Sequence, residues 1–165
     1  MYYHISVQKI VPCLWFDTNA EEAIKFYSSI FKDSKIGAIS HYGKEGFEIH
    51  HMPEGAVLTI EFELNGQKFL ALNGGPVFKF NEAVSLLIYC EDQKEVDYYW
   101  DSLTRAGGQE SRCGWLKDKF GLSWQIIPTV LPKLLSDPVK GGAVMQAMLA
   151  MHKIIIADLE KACTL

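Results

Sequence analysis

Two groups of side chains in this 165-residue sequence are of types that carry metal or nucleophile chemistry. His50, His51 and Glu54 lie together in the segment HHMPE, and imidazole and carboxylate groups are common ligands of transition metals. Cys113 carries a thiol, which acts as a nucleophile where a neighbouring base activates it. The histidines are flanked by proline and glycine, and no histidine is placed beside Cys113. We therefore expect a solvated loop at residues 50–54 and a buried structural thiol at Cys113.

Composition and charge exclude several classes of partner. The chain carries a formal net charge of -4, which disfavours nucleic acid and anionic membrane surfaces as partners. No stretch approaches the roughly 20 apolar residues of a membrane helix, and the N-terminus lacks the apolar run of a signal peptide. The four cysteines are far apart and form no C-x-x-C pair. These features predict a cytoplasmic protein with reduced thiols.

The elements that must position any site follow from hydrophobic periodicity. Leu58, Ile60, Phe62 and Leu64 alternate with polar residues, which predicts a strand with one dry face. Asn65-Gly66 is typical of a hairpin turn, so residues 67–73 form the partner strand. Apolar runs at 10–16 and 84–90 predict further strands, and each is followed by a helix. Residues 43–55 read as a polar loop, residues 109–115 as a strand, and residues 117–121 as a turn before a strand at 122–127.

The order of these elements repeats along the chain. A shift of 73 positions places Phe16 on Tyr89 and the pair Phe26-Tyr27 on Tyr99-Trp100. Each half then contains a strand, a capped helix and further strands that end in a hairpin. We predict a single domain over 1–165 that consists of two βαβββ modules, at about 9–76 and 82–130, and a helical tail at 130–163.

Paired βαβββ modules resemble the vicinal oxygen chelate superfamily, which includes glyoxalases, extradiol dioxygenases and bleomycin-resistance proteins. The sequence looks closer still to the PhnB-like branch, labelled 3-demethylubiquinone-9 3-methyltransferase. The segments that carry this resemblance are PCLWFD (12–17), GQKFLALNGGP (66–76), FKFNEAVSL (78–86), CGWLKDKFGLSWQIIP (113–128) and MQAMLAMHK (145–153). It implies an α+β fold with cupped mixed β-sheets and a homodimer, and it leaves residues 1–8 as an extension without an assigned role.

The resemblance also predicts which cofactors are absent. In the metal-using relatives four strands each supply one ligand, and the matching positions here are Pro12, Ala71, Ser85 and Gln125. Only the Gln125 amide is a plausible donor, so we expect no metal. A methyltransferase would need a glycine-rich turn after its first strand, and Asp17-Thr18-Asn19 contains no glycine. We therefore expect no S-adenosylmethionine site and no other cofactor.

Strand periodicity, applied to the superfamily positions, predicts the lining of a cavity inside the cupped sheets. This lining is apolar and aromatic with a few neutral polar groups, and it contains no carboxylate, lysine or histidine. Catalytic residues therefore stay unassigned. The alternative is that these polar groups satisfy one another in a packed core. The predicted ligand-binding residues are Phe16, Phe69, Asn73, Ser85, Tyr89, Trp115, Ser123 and Gln125.

Three functions remain open at this point. The first is a metal-free protein that binds a small organic molecule of unknown identity. The alternative is an enzyme that acts on a small metabolite as a lyase, isomerase or transferase. The third is a structural module without a small ligand.

Overall fold

The computed structural model describes residues 8–164, so the predicted N-terminal extension lies, except for Gln8, outside the described residues. The chain divides into two compact units, with the boundary between Lys79 and Phe80. We call them unit 1 and unit 2 in chain order.

Unit 1 is a four-stranded mixed sheet with one long helix. Its strands lie in the order β1-β4-β3-β2, where β1 is parallel to β4 and the other neighbours are antiparallel. The segment predicted as a polar loop at 43–55 contains one short helix, α2. The elements are β1 (Cys13–Phe16), α1 (Ala20–Ile30), β2 (Ser34–His41), α2 (Phe47–His50), β3 (Val57–Leu64) and β4 (Gln67–Asn73).

Unit 2 repeats this plan and continues into three helices. Its strands lie in the order β5-β8-β7-β6, with β5 parallel to β8. The strand, helix and three-strand order of unit 1 therefore recurs, and the predicted α+β fold with two βαβββ modules and a helical tail is confirmed. The elements are β5 (Ser85–Cys90), α3 (Gln93–Thr104), β6 (Gln109–Glu110), β7 (Trp115–Lys117), β8 (Ser123–Pro128), α4 (Val130–Leu135), α5 (Gly141–Leu149) and α6 (Ile156–Ala162).

Residues 109–115 do not form the single strand predicted from the sequence. Only Gln109 and Glu110 belong to β6, and β7 begins at Trp115. The backbone between them turns because Cys113 and Gly114 both have positive φ angles, 58° and 81°. Their N–H groups donate to the carbonyls of Met151 and His152, at 2.8 Å in both cases, so the turn is tied to the tail.

The hairpin from β7 to β8 is held by the buried carboxylate of Asp118. Its Oδ1 accepts hydrogen bonds from the N–H groups of Phe120 and Leu122, at 2.9 and 3.1 Å. Its Oδ2 accepts from Nε1 of Trp124 at 2.9 Å. Because one side chain bridges the turn and β8, it fixes the pairing of Lys117 with Ser123 across the hairpin.

The helical tail packs on unit 2 through an apolar cluster. Its buried members are Ile127, Leu131, Val144, Ile154 and Leu159. One face of the tail therefore packs within the chain. None of the helices described between residues 8 and 164 is long and apolar enough to cross a membrane.

Candidate functional site

The three predicted ligand-binding residues of unit 1 lie on the face of the sheet that α1 covers. Phe16, Phe69 and Asn73 are between 2% and 6% exposed, and they share this face with the other buried residues of the sheet. Phe62 and Phe69 stack there with ring centroids 5.2 Å apart. The dry face of these strands is therefore the face that packs against the helix. The role of the three side chains in ligand binding stays a prediction, and Phe69 also borders a surface pocket of unit 1.

Asn73 has a structural role that accounts for its burial. Its Oδ1 accepts a hydrogen bond from the N–H of Ala20, the first residue of α1, at 2.9 Å. Its Nδ2 donates to Glu21 Oε2 at 2.9 Å and to the Val57 carbonyl at 3.1 Å. Asn19, at the N-cap position itself, makes no capping hydrogen bond with its side chain. The cap of α1 is therefore supplied by a strand that is distant in sequence.

The strand–helix connections of the two units differ in length by one residue. Three residues separate Phe16 from α1, whereas two separate Cys90 from α3. The structural equivalent of Phe16 is therefore Cys90, and both carbonyls accept a hydrogen bond from the chain after the last strand, from Gly74 and Thr129, at 2.9 Å. The helices follow the 73-residue shift, but the first strands are displaced by one more residue. Phe16 and Tyr89 consequently face opposite sides of their sheets.

The five predicted residues of unit 2 lie on the sheet face opposite α3. Ser85, Ser123 and Lys117 are paired side by side across β5, β8 and β7, and the next row contains Leu87, Gln125 and Trp115. Neighbouring strands are separated by about 4.8 Å, so side chains in a row are in reach of each other. Tyr89, one row further along, is 58% exposed. We call this side of the unit 2 sheet the open face.

The polar groups of the open face are not mutually satisfied. Gln125 Nε2 donates to Ser85 Oγ at 2.8 Å, across the diagonal between the two rows. Ser123 is paired with Ser85 and lies two residues before Gln125 on β8. Its Oγ is nevertheless buried and makes no hydrogen bond to any atom of the described residues. Ser85 and Gln125 therefore bond to each other, as a packed polar core would require, but Ser123 does not take part in this pairing.

A cleft of about 480 Å³ opens beside Ser123. Trp115 and Lys117 contribute side chains of the open face, and the turn between β6 and β7 forms one wall. Cys113, expected to be buried, is only partly covered and lines this wall. We call this feature the Ser123 cleft; it is lined by Glu82, Trp115, Leu116, Lys117, Ser123 and residues 109–113.

Four charged residues line the cleft, Glu82, Glu110, Arg112 and Lys117, and none of them is among the residues predicted from sequence. The sequence predicts a turn at residues 117–121, but β7 continues to Lys117, which places this lysine on the open face. Lys117 Nζ forms an ion pair with Glu82 Oε1 at 2.5 Å. The hydrogen bond donated by Lys117 holds the pKa of Glu82 below its ordinary value. The signal that could have identified Lys117 is its alternation with Trp115, two positions earlier.

The histidine segment shows a local structure rather than a cluster of ligands. His50 Nδ1 accepts from the N–H of Met52 at 2.9 Å, and Nε2 lies 3.0 Å from the Glu45 carbonyl. The ring also packs against Tyr42, with centroids 4.5 Å apart. Within residues 8–164, no three side chains of histidine, cysteine, aspartate or glutamate converge as they would around a metal ion.

The positions that the superfamily uses for metal ligands do not fit a metal in this chain. Ala71 is fully buried on the α1 side of its sheet, and Pro12 has no donor atom in its side chain. Ser85 and Gln125 are neutral and hydrogen-bonded to each other. These groups supply no set of three ligands.

S-adenosylmethionine, which the family label implies, also lacks a matching site at the helix N-termini. Asn73 occupies the N-terminus of α1, and Asp92 Oδ1 accepts from the Glu95 N–H at 2.8 Å at the start of α3. The N-termini of both helices that follow a parallel strand are thus capped by side chains. A dinucleotide-binding fold would instead leave these N–H groups free for the cofactor.

Comparisons with known proteins define the family. Residues 8–127 match the family model described as 3-demethylubiquinone-9 3-methyltransferase. The chain is 36% identical to the structure of a putative 3-demethylubiquinone-9 3-methyltransferase, PhnB protein, from Bacillus cereus, with 74% of this chain and 100% of that chain covered and a TM-score of 0.64. A comparison with curated protein sequences gives no match.

More distant structures share the fold alone. Protein PA1353 from Pseudomonas aeruginosa is 17% identical, with a TM-score of 0.58 over 74% of this chain and 98% of that chain. The fosfomycin resistance protein FosX from Listeria monocytogenes is 13% identical, with a TM-score of 0.51 over 77% of this chain and 97% of that chain. The two βαβββ units and the family match together show that the chain belongs to the 3-demethylubiquinone-9 3-methyltransferase family.

Proposed function

We propose that this protein binds a small organic molecule in the Ser123 cleft. The cleft is within the size range of roughly 300–1,000 Å³ that is typical of small-molecule sites. It combines the indole of Trp115 with a hydroxyl and a charged pair, which is the usual mixture of an apolar wall and a few polar groups. Of the residues predicted from sequence, the proposal retains Trp115 and Ser123 as ligand contacts.

The observation that carries the proposal is the unpartnered hydroxyl of Ser123. A buried polar group without a hydrogen-bond partner costs about 1–3 kcal/mol, so natural proteins rarely retain one without use. Alanine at this position would avoid that cost within the same strand. A bound molecule that exchanges a hydrogen bond with Ser123 Oγ removes the cost, which favours a ligand over a filled core.

The remaining predicted residues of unit 2 have supporting roles in this proposal. Gln125 and Ser85 hold each other in place on the two strands that flank Ser123. Tyr89 lies on the same face and remains largely exposed, so it is available to a ligand that extends along β5. Phe16, Phe69 and Asn73 stabilise unit 1 and do not contact the ligand.

The test is a titration with two small probes of equal size, benzoate and benzamide, followed through the backbone amide resonances of the labelled protein. We expect at least one probe to shift the resonances of Trp115, Lys117 and Ser123 more than those of residues outside the cleft. The variant Ser123→Ala should weaken that response, whereas the matched variant Ser136→Ala, on the exposed end of α4, should leave it unchanged. Failure of both probes to affect the cleft would contradict the proposed function.

We infer that the protein is a homodimer, as the resemblance to its superfamily suggests. Val144 is on the buried face of α5, whereas Met145 and Leu149 of the same helix are 41% and 54% exposed. Apolar side chains of this size favour a covered position in an oligomer. Light scattering after size exclusion should give twice the 18.6 kDa mass of the chain, and Leu149→Glu should lower it. A monomeric mass for the unaltered protein would contradict this inference.

We also propose a cytoplasmic location. All four cysteines are free thiols, which suits a reducing compartment. Cell fractionation is the test, and recovery of the protein outside the cytoplasm would contradict it.

A further inference from the structure

The ion pair at the mouth of the Ser123 cleft joins a lysine of the sheet to a glutamate of an exposed segment. Lys117 belongs to β7, and its side chain is 33% exposed. Glu82 precedes β5 in the exposed segment 81–84, and its side chain is 62% exposed. Lys117 is therefore the fixed partner of the pair, and Glu82 can leave it for water at little cost, because solvent screens an ion pair of this exposure.

Lys117 and Ser123 face each other directly across the β7–β8 ladder. The ammonium can only donate hydrogen bonds, and the Ser123 hydroxyl has a proton that no acceptor takes. Two donors on adjacent strands, one of them charged, suit a carboxylate, whose two oxygens accept strong charge-assisted hydrogen bonds.

The other charged residues of the cleft agree with an anionic ligand. Glu110 is already engaged, because its Oε1 accepts from Trp100 Nε1 at 2.9 Å. Arg112, on the wall of the cleft, adds a second positive charge. Once Glu82 is displaced, positive charge predominates around Ser123, and the indole of Trp115 offers a surface for an apolar ligand body.

We propose that the Ser123 cleft takes a small carboxylate with a flat apolar body, and that the ligand's carboxylate replaces Glu82 as the partner of Lys117. This inference rests on the proposed function and specifies the ligand class for the same cleft. Glu82 then acts as an internal competitor that neutralises Lys117 while the cleft is empty.

The two probes of the binding test separate charge from shape, because benzamide replaces the carboxylate of benzoate by a neutral amide of the same size. We expect benzoate to bind the unaltered protein at least about tenfold more tightly than benzamide, as a charge-assisted hydrogen bond predicts. Lys117→Met should abolish that preference. Lys133→Met removes the same charge from the exposed surface of α4 and should preserve it.

The variant Glu82→Gln tests directly whether Glu82 competes with the ligand for Lys117. Glu82 is exposed, so its replacement does not disturb the core. Removal of the competitor should strengthen benzoate binding about threefold or more and leave benzamide binding unchanged. Equal affinities for the two probes, or weaker benzoate binding by Glu82→Gln, would overturn the carboxylate inference while the proposed function stands. Binding of neither probe in the cleft would overturn both.

Discussion

Asn73, the last residue of β4, caps the helix that follows β1, because its side-chain oxygen accepts the hydrogen bond of the Ala20 N–H at 2.9 Å. The same amide donates to Glu21 and Val57, so one buried side chain joins the end of the sheet to the first turn of α1. Asn73 is thus a structural residue of unit 1.

Replacement of Asn73 by alanine should destabilise the protein by about 2–4 kcal/mol, because it removes a helix cap and leaves buried groups without partners. The matched control is Asn19→Ala, at the formal N-cap position, where the side chain makes no capping bond. The control should change the free energy of unfolding by less than about 0.5 kcal/mol. Denaturant unfolding measures both, and a larger effect for Asn19→Ala would refute the assignment of the cap.

Ser123→Ala and Ser85→Ala should have opposite effects on the empty protein. The Ser123 hydroxyl has no partner, so its removal should leave stability unchanged or raise it by about 1 kcal/mol. The Ser85 hydroxyl accepts from Gln125, so its removal should cost about 1 kcal/mol. Thermal unfolding in the absence of ligand compares the two variants. A clear loss of stability with Ser123→Ala would show that its hydroxyl is bonded within the protein.

Gly114→Ala should be strongly destabilising, by about 2 kcal/mol or more. Gly114 has a φ angle of 81°, and a Cβ there would lie 2.8 Å from the carbonyl oxygen of Ile126, a backbone atom that cannot move aside. Gly142→Ala, in α5 with open space around it, should instead stabilise by up to about 1 kcal/mol. Chemical unfolding of the two variants is the check; similar effects would argue against the strained turn that carries the wall of the Ser123 cleft.

The stability of the protein should decrease at alkaline pH through Cys90. Burial, followed by the charges of Glu95, Asp92 and Glu91, raises the pKa of this thiol from 9.0 to about 12. A folded-state pKa above the unfolded value favours the folded state below pH 9, and this contribution is lost as the pH rises from 9 to about 12.

Cys90→Ala should therefore reduce the loss of unfolding free energy between pH 8 and 11, relative to the unaltered protein, when urea unfolding is followed at each pH. Cys163→Ala, which replaces a partly exposed thiol, serves as the control. An identical pH dependence for the Cys90→Ala variant and the unaltered protein would contradict the assignment.

The fold was accessible from sequence because its largest signals are local and repeated. The alternation at 58–64, the Asn65-Gly66 turn and the shared order of elements define both sheets, and α3 begins 73 residues after α1. The faces of the strands were less accessible. One additional residue in the connection from Phe16 to α1 reverses the face of β1 relative to β5, and no pattern of hydrophobicity distinguishes a face covered by a helix from a face that lines a cavity.

Part of the candidate site could be predicted from the period of two of a strand. The period of two along β8 predicts Ser123 from the position of Gln125, whereas it leaves Trp115 at the edge of the predicted cavity less determined. Lys117 was missed because turn residues follow it at once, and only the buried Asp118 shows that the strand extends to that position. Ser123 lacks a partner while the amide of Gln125 donates to Ser85, and no sequence pattern indicates which of the two serines receives this hydrogen bond.

The most direct test of a ligand site at Ser123 is a crystal structure of the protein grown with benzoate. The account predicts benzoate in the Ser123 cleft with one carboxylate oxygen about 2.5–3.0 Å from Ser123 Oγ. A cleft that holds only water, or a Ser123 Oγ that is hydrogen-bonded to another protein atom while benzoate is absent or bound elsewhere, would contradict it.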